Sequence, residues 1–595
     1  MVLGRNLLGL LLTVSLSLYA HGQQQEFDYV VVGSGAGGGV VATELAKAGF
    51  STLLIEAGPD YQSSVTTTPV LHVRASEDPA ISFEYFVKHY PESTGLRQNV
   101  FYPRVGALGG CPNHHAMIAL YPNTRDFDLM ATTTKDNGWK EKNMRKYFKR
   151  MERNYYRSEI FEPDHGFNGW FPTSYINFLR QLTLDPQFLG MLTDIIGNVF
   201  RDVNGYTLLG NLESDKEGRI FVPQNVDGKN YNRGDYSGYI KQVAGAGKLT
   251  IWTDTLATKI ILDEQNTAKG VEFTQGQYLY KASPLSSDRN RQNATIGQVF
   301  AKKEIIISAG TFNTPQLLML SGIGDQDHLK AMNISTKVNL PGVGRNMQDR
   351  YETPFVMKLD RKFSLLKDCK FWANSSDPCF NEYQKYRTGP YISNGVLSAY
   401  MDKSKSSLTE PDLFTLNLPV LFRGYFKGYS QLAADHPDSV SQLILKAHTK
   451  NRAGEVRLTS DSPFDTPYIN FHYFEQGGDE DLDAIVKQIR LQRKRTNGIV
   501  WSQFEEYLPG KNLTTDDQLK QYIREISWGH HACCTAKVGE DSDPMAVLDS
   551  KFRVRGTKNL RVVDASVFPE IPGYFPVMFI HMVGQKVAED ILSSA

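Results

Sequence analysis

The sequence has no surplus of charge of either sign: 65 lysines and arginines meet 65 aspartates and glutamates, for a formal net charge of zero. A nucleic-acid partner, which calls for a basic excess against phosphates, therefore has no electrostatic support. Cysteine is scarce, with five in 595 residues, and no Cys-x-x-Cys pair or Cys/His spacing marks a zinc site. There is no G-x-S-x-G elbow, which argues against an α/β-hydrolase, and no G-x-x-x-x-G-K-[ST] loop for a nucleoside triphosphate. Internal repeats and low-complexity tracts are lacking. Beyond the N-terminus no run is long and apolar enough to span a bilayer. What is left is an ordinary globular composition, 41% hydrophobic and 22% charged, on a chain too long for one core.

The N-terminus reads as a targeting segment. Arg5 precedes an apolar run over residues 7–18, and the small Ala20 and Gly22 flank His21. That is a charged region, a short apolar region and a cleavage site, so residues 1–22 are expected to be a signal peptide and the protein to be secreted, with no membrane span after its removal. Sequons beginning at Asn293, Asn333, Asn374 and Asn512 fit a glycoprotein of the secretory lumen. Cys369 and Cys379 bracket a short polar loop and are expected to form a disulfide there. The adjacent Cys533 and Cys534 read as two small buried thiols, the alternative being a vicinal disulfide. The basic stretch 140–153 carries Met144, Tyr147, Phe148 and Met151 at helical spacing and reads as a helix with a solvated basic face.

The segment 27–32, FDYVVV, is a short β-branched run bounded by glycine and predicts a buried strand. Gly33-Ser34-Gly35-Ala36-Gly37-Gly38 follows, then a helix to about Ala48 and a second strand over 51–56. This is a βαβ unit with G-x-G-x-x-G at its first turn. Gly33 permits the tight turn, Gly35 lets the backbone approach a pyrophosphate, and Gly38 lets helix and strand pack closely. Ala36 and the glycines around it open the helix, whose positive N-terminus suits phosphate. Glu56 closes the second strand, placed to accept ribose hydroxyls. Dinucleotide binding follows from this context, not from the glycines alone.

Further short strands are predicted over 250–253, 270–274, 304–308, 455–458 and 560–563, with an amphipathic helix through Leu482, Ile485, Val486 and Ile489 and a final helix over 577–592. The aromatic, loop-rich stretch 150–220 and the mixed stretch 350–510 differ in texture from the rest. The nucleotide domain is thus expected to be discontinuous: residues 27–150, 221–345 and 526–595, with a second domain inserted as 151–220 and 346–525.

Three blocks together resemble the glucose–methanol–choline (GMC) oxidoreductase family. They are the glycine fingerprint, the loop 103–115 (PRVGALGGCPNHH), and the stretch 310–324 (GTFNTPQLL ending in SGIG). The run 339–349, NLPGVGRNMQD, is a further block of the same kind. The resemblance spans about residues 27–592. It implies an α/β fold: an FAD-binding Rossmann-like domain with an inserted α+β substrate domain containing an antiparallel sheet. It implies FAD as cofactor, with Gly109, Gly110, Asn113, His114 and His115 along the isoalloxazine and Asp564 and Ala565 at the ribityl or pyrophosphate part. His114 stands where relatives resembling choline oxidase carry a histidine bonded to the flavin; a histidine packed beside a non-covalent ring is the other reading.

Hydride transfer in this family needs a base for the substrate hydroxyl, and histidine suits that task. The resemblance places it in the His-x-x-x-Thr-x-x-x-Gly pattern that runs here from His531 to Gly539, so His531 is the expected base. A small-molecule alcohol is the expected substrate. The second catalytic position departs from the pattern. Relatives carry Asn or His just before a proline near the C-terminus, and here Phe575 precedes Pro576. A phenyl ring neither donates a hydrogen bond nor shares a proton. His530 or Tyr574 is then expected to substitute, or His531 to act alone. The alternative is a non-redox cyclase or dehydratase of secondary metabolism that keeps FAD on the same fold. Neither the pair His114-His115 nor the pair His530-His531 has carboxylate companions in sequence, so no metal is expected.

Overall fold

The structure is a computed structural model that describes residues 25–160, 162–175, 201–207, 210–497 and 504–594. The expected signal peptide, residues 1–22, lies outside the described residues.

The predicted βαβ unit forms as read. The strand Glu26–Val32 runs parallel to Thr52–Ile55, and the helix Gly38–Lys47 connects them. All four residues of Thr52–Ile55 are buried, as expected of a parallel strand covered on both faces. Outward on one side lies Leu249–Trp252, and on the other Thr295–Ile307, both parallel to their neighbours. The terminal strand Leu560–Val562 adds in parallel to the end of Thr295–Ile307.

The strand at 304–308 is longer than its apolar run suggests. Its first half, from Thr295, is polar and partly exposed because it leaves the covered sheet and pairs antiparallel with Ala268–Gln275, which pairs in turn with Thr255–Leu262. Solvent on that extension removes the apolar signal that marked the buried half.

The second sheet is antiparallel throughout. Its order is Phe504–Leu508, Tyr351–Leu359, Ser439–Lys446, Leu413–Leu418, Ser398–Asp402 and Gly218–Ile220. The predicted amphipathic helix, Gly478–Asn497, buries Leu482, Ile485, Val486 and Ile489 in the core on this side of the molecule. The mixed α/β architecture with a Rossmann-like sheet and an antiparallel substrate sheet is therefore the one expected. The hairpin Ser82–Val87/Val100–Val105 sits early in the chain, yet Tyr85, Val87, Val100 and Tyr102 pack into the second core.

The basic stretch is the helix Glu141–Met151, and its four apolar residues are buried. Arg145 departs from the solvated face. It is buried over the Tyr121 ring at 3.8 Å and donates to the Asn204 carbonyl at 2.8 Å.

Cys369 and Cys379 are joined as expected. Cys533 and Cys534 are joined too, which corrects the reading of two free thiols. Cys534 adopts a left-handed backbone, φ +79°, a conformation with no signature in the sequence. The four sequon asparagines are all exposed.

Candidate active site

One cavity begins at the nucleotide loop and ends between the two sheets. Gly33, Gly35, Ala36 and Glu56 line its first end; His530, His531 and Phe575 line the other. Gly110, His114, His115, Asp564 and Ala565 lie along it.

At the first end the backbone makes the surface. Gly33 has φ +97°, and a Cβ there would fall 2.2 Å from the Ser308 carbonyl oxygen. A Cβ at Gly38 would fall 2.1 Å from the Gly33 oxygen. Gly35 differs: a Cβ would meet no protein atom within 4 Å and would instead fill the cavity. Two glycines thus serve packing, and one keeps backbone within reach of a ligand. Pyrophosphate chemistry at a helix N-terminus fits this cradle.

Glu56 is buried with the nucleotide loop. Its Oε2 accepts Ser34 N at 3.0 Å as well as the Ser34 hydroxyl, and its Oε1 accepts Gly58 N at 3.2 Å. Burial raises its pKa, against these hydrogen bonds. Ser34 was missed by sequence reasoning. Its Oγ also accepts Gly109 N at 2.8 Å, which ties the nucleotide loop to the second glycine loop.

That second loop turns on left-handed Gly109 (φ +97°) and Gly110 (φ +63°). Gly109 and Asn113 do not line the cavity. Asn113 braces the loop from behind by donating Nδ2 to the Leu108 carbonyl at 2.8 Å. Gly38 likewise shapes the cradle without facing it. His114 and His115 are both buried deeply enough to be held neutral, burial pushing each pKa well down. His114 Nδ1 has no hydrogen-bond partner among the described residues. His115 Nδ1 accepts Met117 N at 2.7 Å. Arg233 holds the loop in place, donating Nη1 to the carbonyls of His115 at 2.7 Å and Pro112 at 3.2 Å.

Asp564 works mainly within the protein. Its Oδ2 accepts Thr314 Oγ1 at 2.6 Å and Gly310 N at 2.9 Å, and its Oδ1 accepts Ser566 N at 2.7 Å. His581 donates Nδ1–H to the Ala36 carbonyl at 2.8 Å, which fixes the start of the first helix and removes His581 from the chemistry.

At the far end side chains make the surface. His531 is held through its backbone, whose N–H donates to Asp349 Oδ1 at 2.9 Å. Asp349 also accepts the Tyr102 hydroxyl at 2.6 Å, and burial raises its pKa to about 6. His531 itself is pushed well below the ordinary histidine range by burial, then by the Arg350 and Arg104 charges. Phe575 meets the His531 ring edge to face, with centroids 5.4 Å apart. His530 turns the other way. It donates Nε2–H to the Pro103 carbonyl at 3.1 Å and packs on Tyr425 at 4.4 Å. A carbonyl only accepts, so in the neutral ring Nδ1 is left as an acceptor.

Tyr574 needs correction. Its hydroxyl donates to the Pro411 carbonyl at 2.6 Å, its ring packs on Phe414, and it does not line the cavity. Both rings pack on Phe414, with centroids 4.9 Å (Tyr574) and 5.3 Å (Phe575) away, but only Phe575 also lines the cavity. Glu352 and Arg350 were missed. Glu352 lines the cavity beside His531, and Arg350 donates to the carbonyls of Pro572 and Gly573, fixing the turn before Phe575. Neither belongs to a local pattern.

Family models described as GMC oxidoreductase match residues 27–352 and 450–584. Among curated relatives, an oxygen-dependent choline dehydrogenase of Vibrio vulnificus (strain YJ016) is 29% identical, aligned over 96% of this chain and 95% of its own. A glucose-methanol-choline family oxidoreductase, mfmG, of Annulohypoxylon moriforme is 28% identical over 97% of this chain and 96% of its own. The fold is similar to a crystal structure of formate oxidase (TM-score 0.78, 22% identity, covering 96% of this chain and 99% of that one). It is also similar to pyridoxine 4-oxidase from Mesorbium loti (TM-score 0.76, 20% identity, 95% and 99%). The chain belongs to the GMC oxidoreductase family and is an FAD-dependent oxidoreductase.

Proposed function

We propose that this enzyme oxidises the CH–OH group of an apolar alcohol, with His531 taking the hydroxyl proton. The observation that carries the reading is the continuous cavity. It leads from the dinucleotide cradle at Gly35 and Glu56 to a neutral histidine in an apolar chamber. FAD, held at the cradle, supplies the hydride acceptor. The chain's own part is to bind the alcohol, exclude water and hold its proton. Leu365, Phe371, Leu416, Phe422, Tyr425 and Phe575 dominate the chamber wall, and its polar groups, Arg104, Glu352, His530, His72 and Asn394 among them, are fewer. Such a wall suits an aliphatic or aromatic body better than a sugar.

Gly33, Gly35, Ala36, Gly38 and Glu56 are the proposed nucleotide residues. Gly109, Gly110, Asn113, His114, His115, Asp564 and Ala565 form or brace the flavin side. His114 is the candidate point of covalent attachment, since its ring lies on the cavity with an unpartnered buried nitrogen. Yellow colour that stays with acid-precipitated protein supports the bond, and colour released to the supernatant refutes it. The expected signal sequence, the exposed sequons and the two disulfides support a secreted glycoprotein. Among the described residues no helix is long and apolar enough to cross a membrane.

The deciding experiment is anaerobic mixing with primary, benzylic and sugar alcohols while the flavin absorption is followed. Bleaching by apolar alcohols supports the reading, and bleaching by sugars alone overturns its substrate class. Phe575, which offers no second polar group, favours one other reading: a non-redox cyclase or dehydratase that retains FAD. No bleaching by any alcohol, with dithionite still reducing the flavin, would favour that one.

A further inference from the structure

With Phe575 on one side of His531, a polar partner for the imidazole has to come from another element. The antiparallel sheet supplies it. Glu352 lies on the strand Tyr351–Leu359, and its backbone pairs with that of Trp528 in both directions, at 2.8 and 3.1 Å. Trp528 sits three residues before His531, so this pairing sets the strand beside the segment that carries the base. The Trp528 indole donates Nε1–H to Glu352 Oε2 at 3.1 Å. The other oxygen, Oε1, faces His531 Nδ1 at 3.2 Å.

Both of those facing atoms are buried, and neither makes an aligned hydrogen bond. A carboxylate oxygen can only accept, and a ring nitrogen donates once it carries a proton. A small ring rotation would align the two, the kind of tightening that accompanies substrate binding. No hydrogen bond to His531 Nε2 occurs among the described residues, and the side chain lines the cavity.

We propose that Glu352 is the charge partner of His531. It holds the ring with its proton on Nδ1, so that Nε2 is the basic nitrogen presented to the substrate hydroxyl. This rests on the alcohol-oxidation reading. When the alcohol reacts, its O–H proton passes to Nε2 and its carbon-bound hydrogen leaves with the electron pair as hydride to the acceptor. The carbon–oxygen double bond forms as both depart. The imidazolium that results lies beside the Glu352 carboxylate, and its extra proton later passes to solvent. Glu352 thus acts through His531 and is a positioning residue.

Only the ionised form of Glu352 serves. Burial pushes its pKa up to about 7, opposed by the Arg350 charge and the Trp528 hydrogen bond. The other charged or titratable groups around the pair are Arg104, Asp349, Tyr425 and His530. Arg104 and Arg350 lower the histidine further; the Glu352 carboxylate, with Oε1 3.2 Å from Nδ1, is the acidic group in direct contact with the ring. The competent form therefore gains population as pH rises through about 7 and is lost below it.

Two measurements on FAD-loaded protein test this, using Glu352→Gln and Glu352→Asp. The first is the pH dependence of kcat/KM with the alcohol that bleaches the parent. Glu352→Gln is expected to lose the acid limb and to fall about 100-fold at pH 8 with KM little changed; Glu352→Asp should keep a shifted limb. An unchanged limb and rate in Glu352→Gln would overturn the proposal. So would equal losses in both variants with the limb retained, which is what a packing role predicts. The second readout needs no substrate: the 15N resonances of His531 in histidine-labelled holoenzyme, assigned with His531→Gln. The Nδ1–H tautomer is expected in the parent and its loss in Glu352→Gln; the same tautomer in both refutes the pairing. If no alcohol bleaches the parent, the functional reading fails and this tautomer result still decides the pairing. Should Glu352→Gln not retain FAD, the shift of the limb or tautomer in Glu352→Asp decides, and no shift refutes it.

Discussion

At the cradle end of the cavity the ligand-facing surface is backbone; at the chamber end it is side chain. Gly33, Gly35 and Gly38 lie within six residues of one another, and each has a separate steric reason to be glycine. His531, Glu352, Phe575 and Tyr425 come from four distant parts of the chain and meet only because two sheets pack around them. A backbone surface imposes strict local demands on residue type. A side-chain surface is assembled from elements whose spacing is set by folding, so no one stretch of chain records it.

Four variants would break or sharpen that contrast. The largest expected effect is at the chamber. His531→Ala should slow flavin bleaching by alcohol by about 1,000-fold while FAD content stays that of the parent, since a positioned base contributes about 100- to 10,000-fold. Full turnover in this variant would remove His531 as the base.

Next come two glycines of the cradle that look equivalent in sequence and differ in space. Gly35→Val would fill the ligand's room, and FAD affinity should fall by about 100-fold, about 2.7 kcal/mol, with melting of the apoprotein unchanged. Gly33→Ala should instead destabilise the apoprotein by about 2–4 kcal/mol, because its Cβ meets the Ser308 carbonyl and its φ is left-handed. Calorimetry of both apoproteins checks the pair. Equal melting losses would show that Gly35 also serves packing.

The smallest expected effect is at Phe575. Phe575→Asn restores a hydrogen-bond donor beside His531 and is expected to raise the bleaching rate only a few-fold, since Glu352 already partners the base. A gain of alcohol oxidation from a parent that has none would instead strengthen the non-redox reading.

The cradle was legible because its residues answer to one another within thirty positions: a strand, a turn, a helix and the acid at Glu56. Ser34 escaped notice inside the fingerprint because its two bonds, to Glu56 and Gly109, join segments far apart. The proposed base, His531, was picked out through the family resemblance of the pattern running to Gly539. Its surroundings were not. Tyr574 was a candidate by adjacency in chain, but its hydroxyl is spent on the Pro411 carbonyl, a partner 163 residues away that the local sequence does not mark. Glu352 looked like any strand glutamate until the pairing of its strand with Trp528 brought it to His531. The vicinal disulfide depended on the left-handed turn at Cys534, which nothing in the neighbouring residues marked.

By itself the sequence determined the covered parallel strands and the glycine cradle with its acid. Each depends on hydrophobic period or on steric limits at a few neighbouring residues. Only the tertiary structure decided which groups face His531, which histidines are spent on backbone carbonyls, and how apolar the chamber is. Those are properties of side chains converging from strands and turns hundreds of residues apart, and burial then sets their protonation. The same carboxyl that would ionise readily on a surface is held near neutrality at Glu352 because the sheet and the cavity around it exclude water.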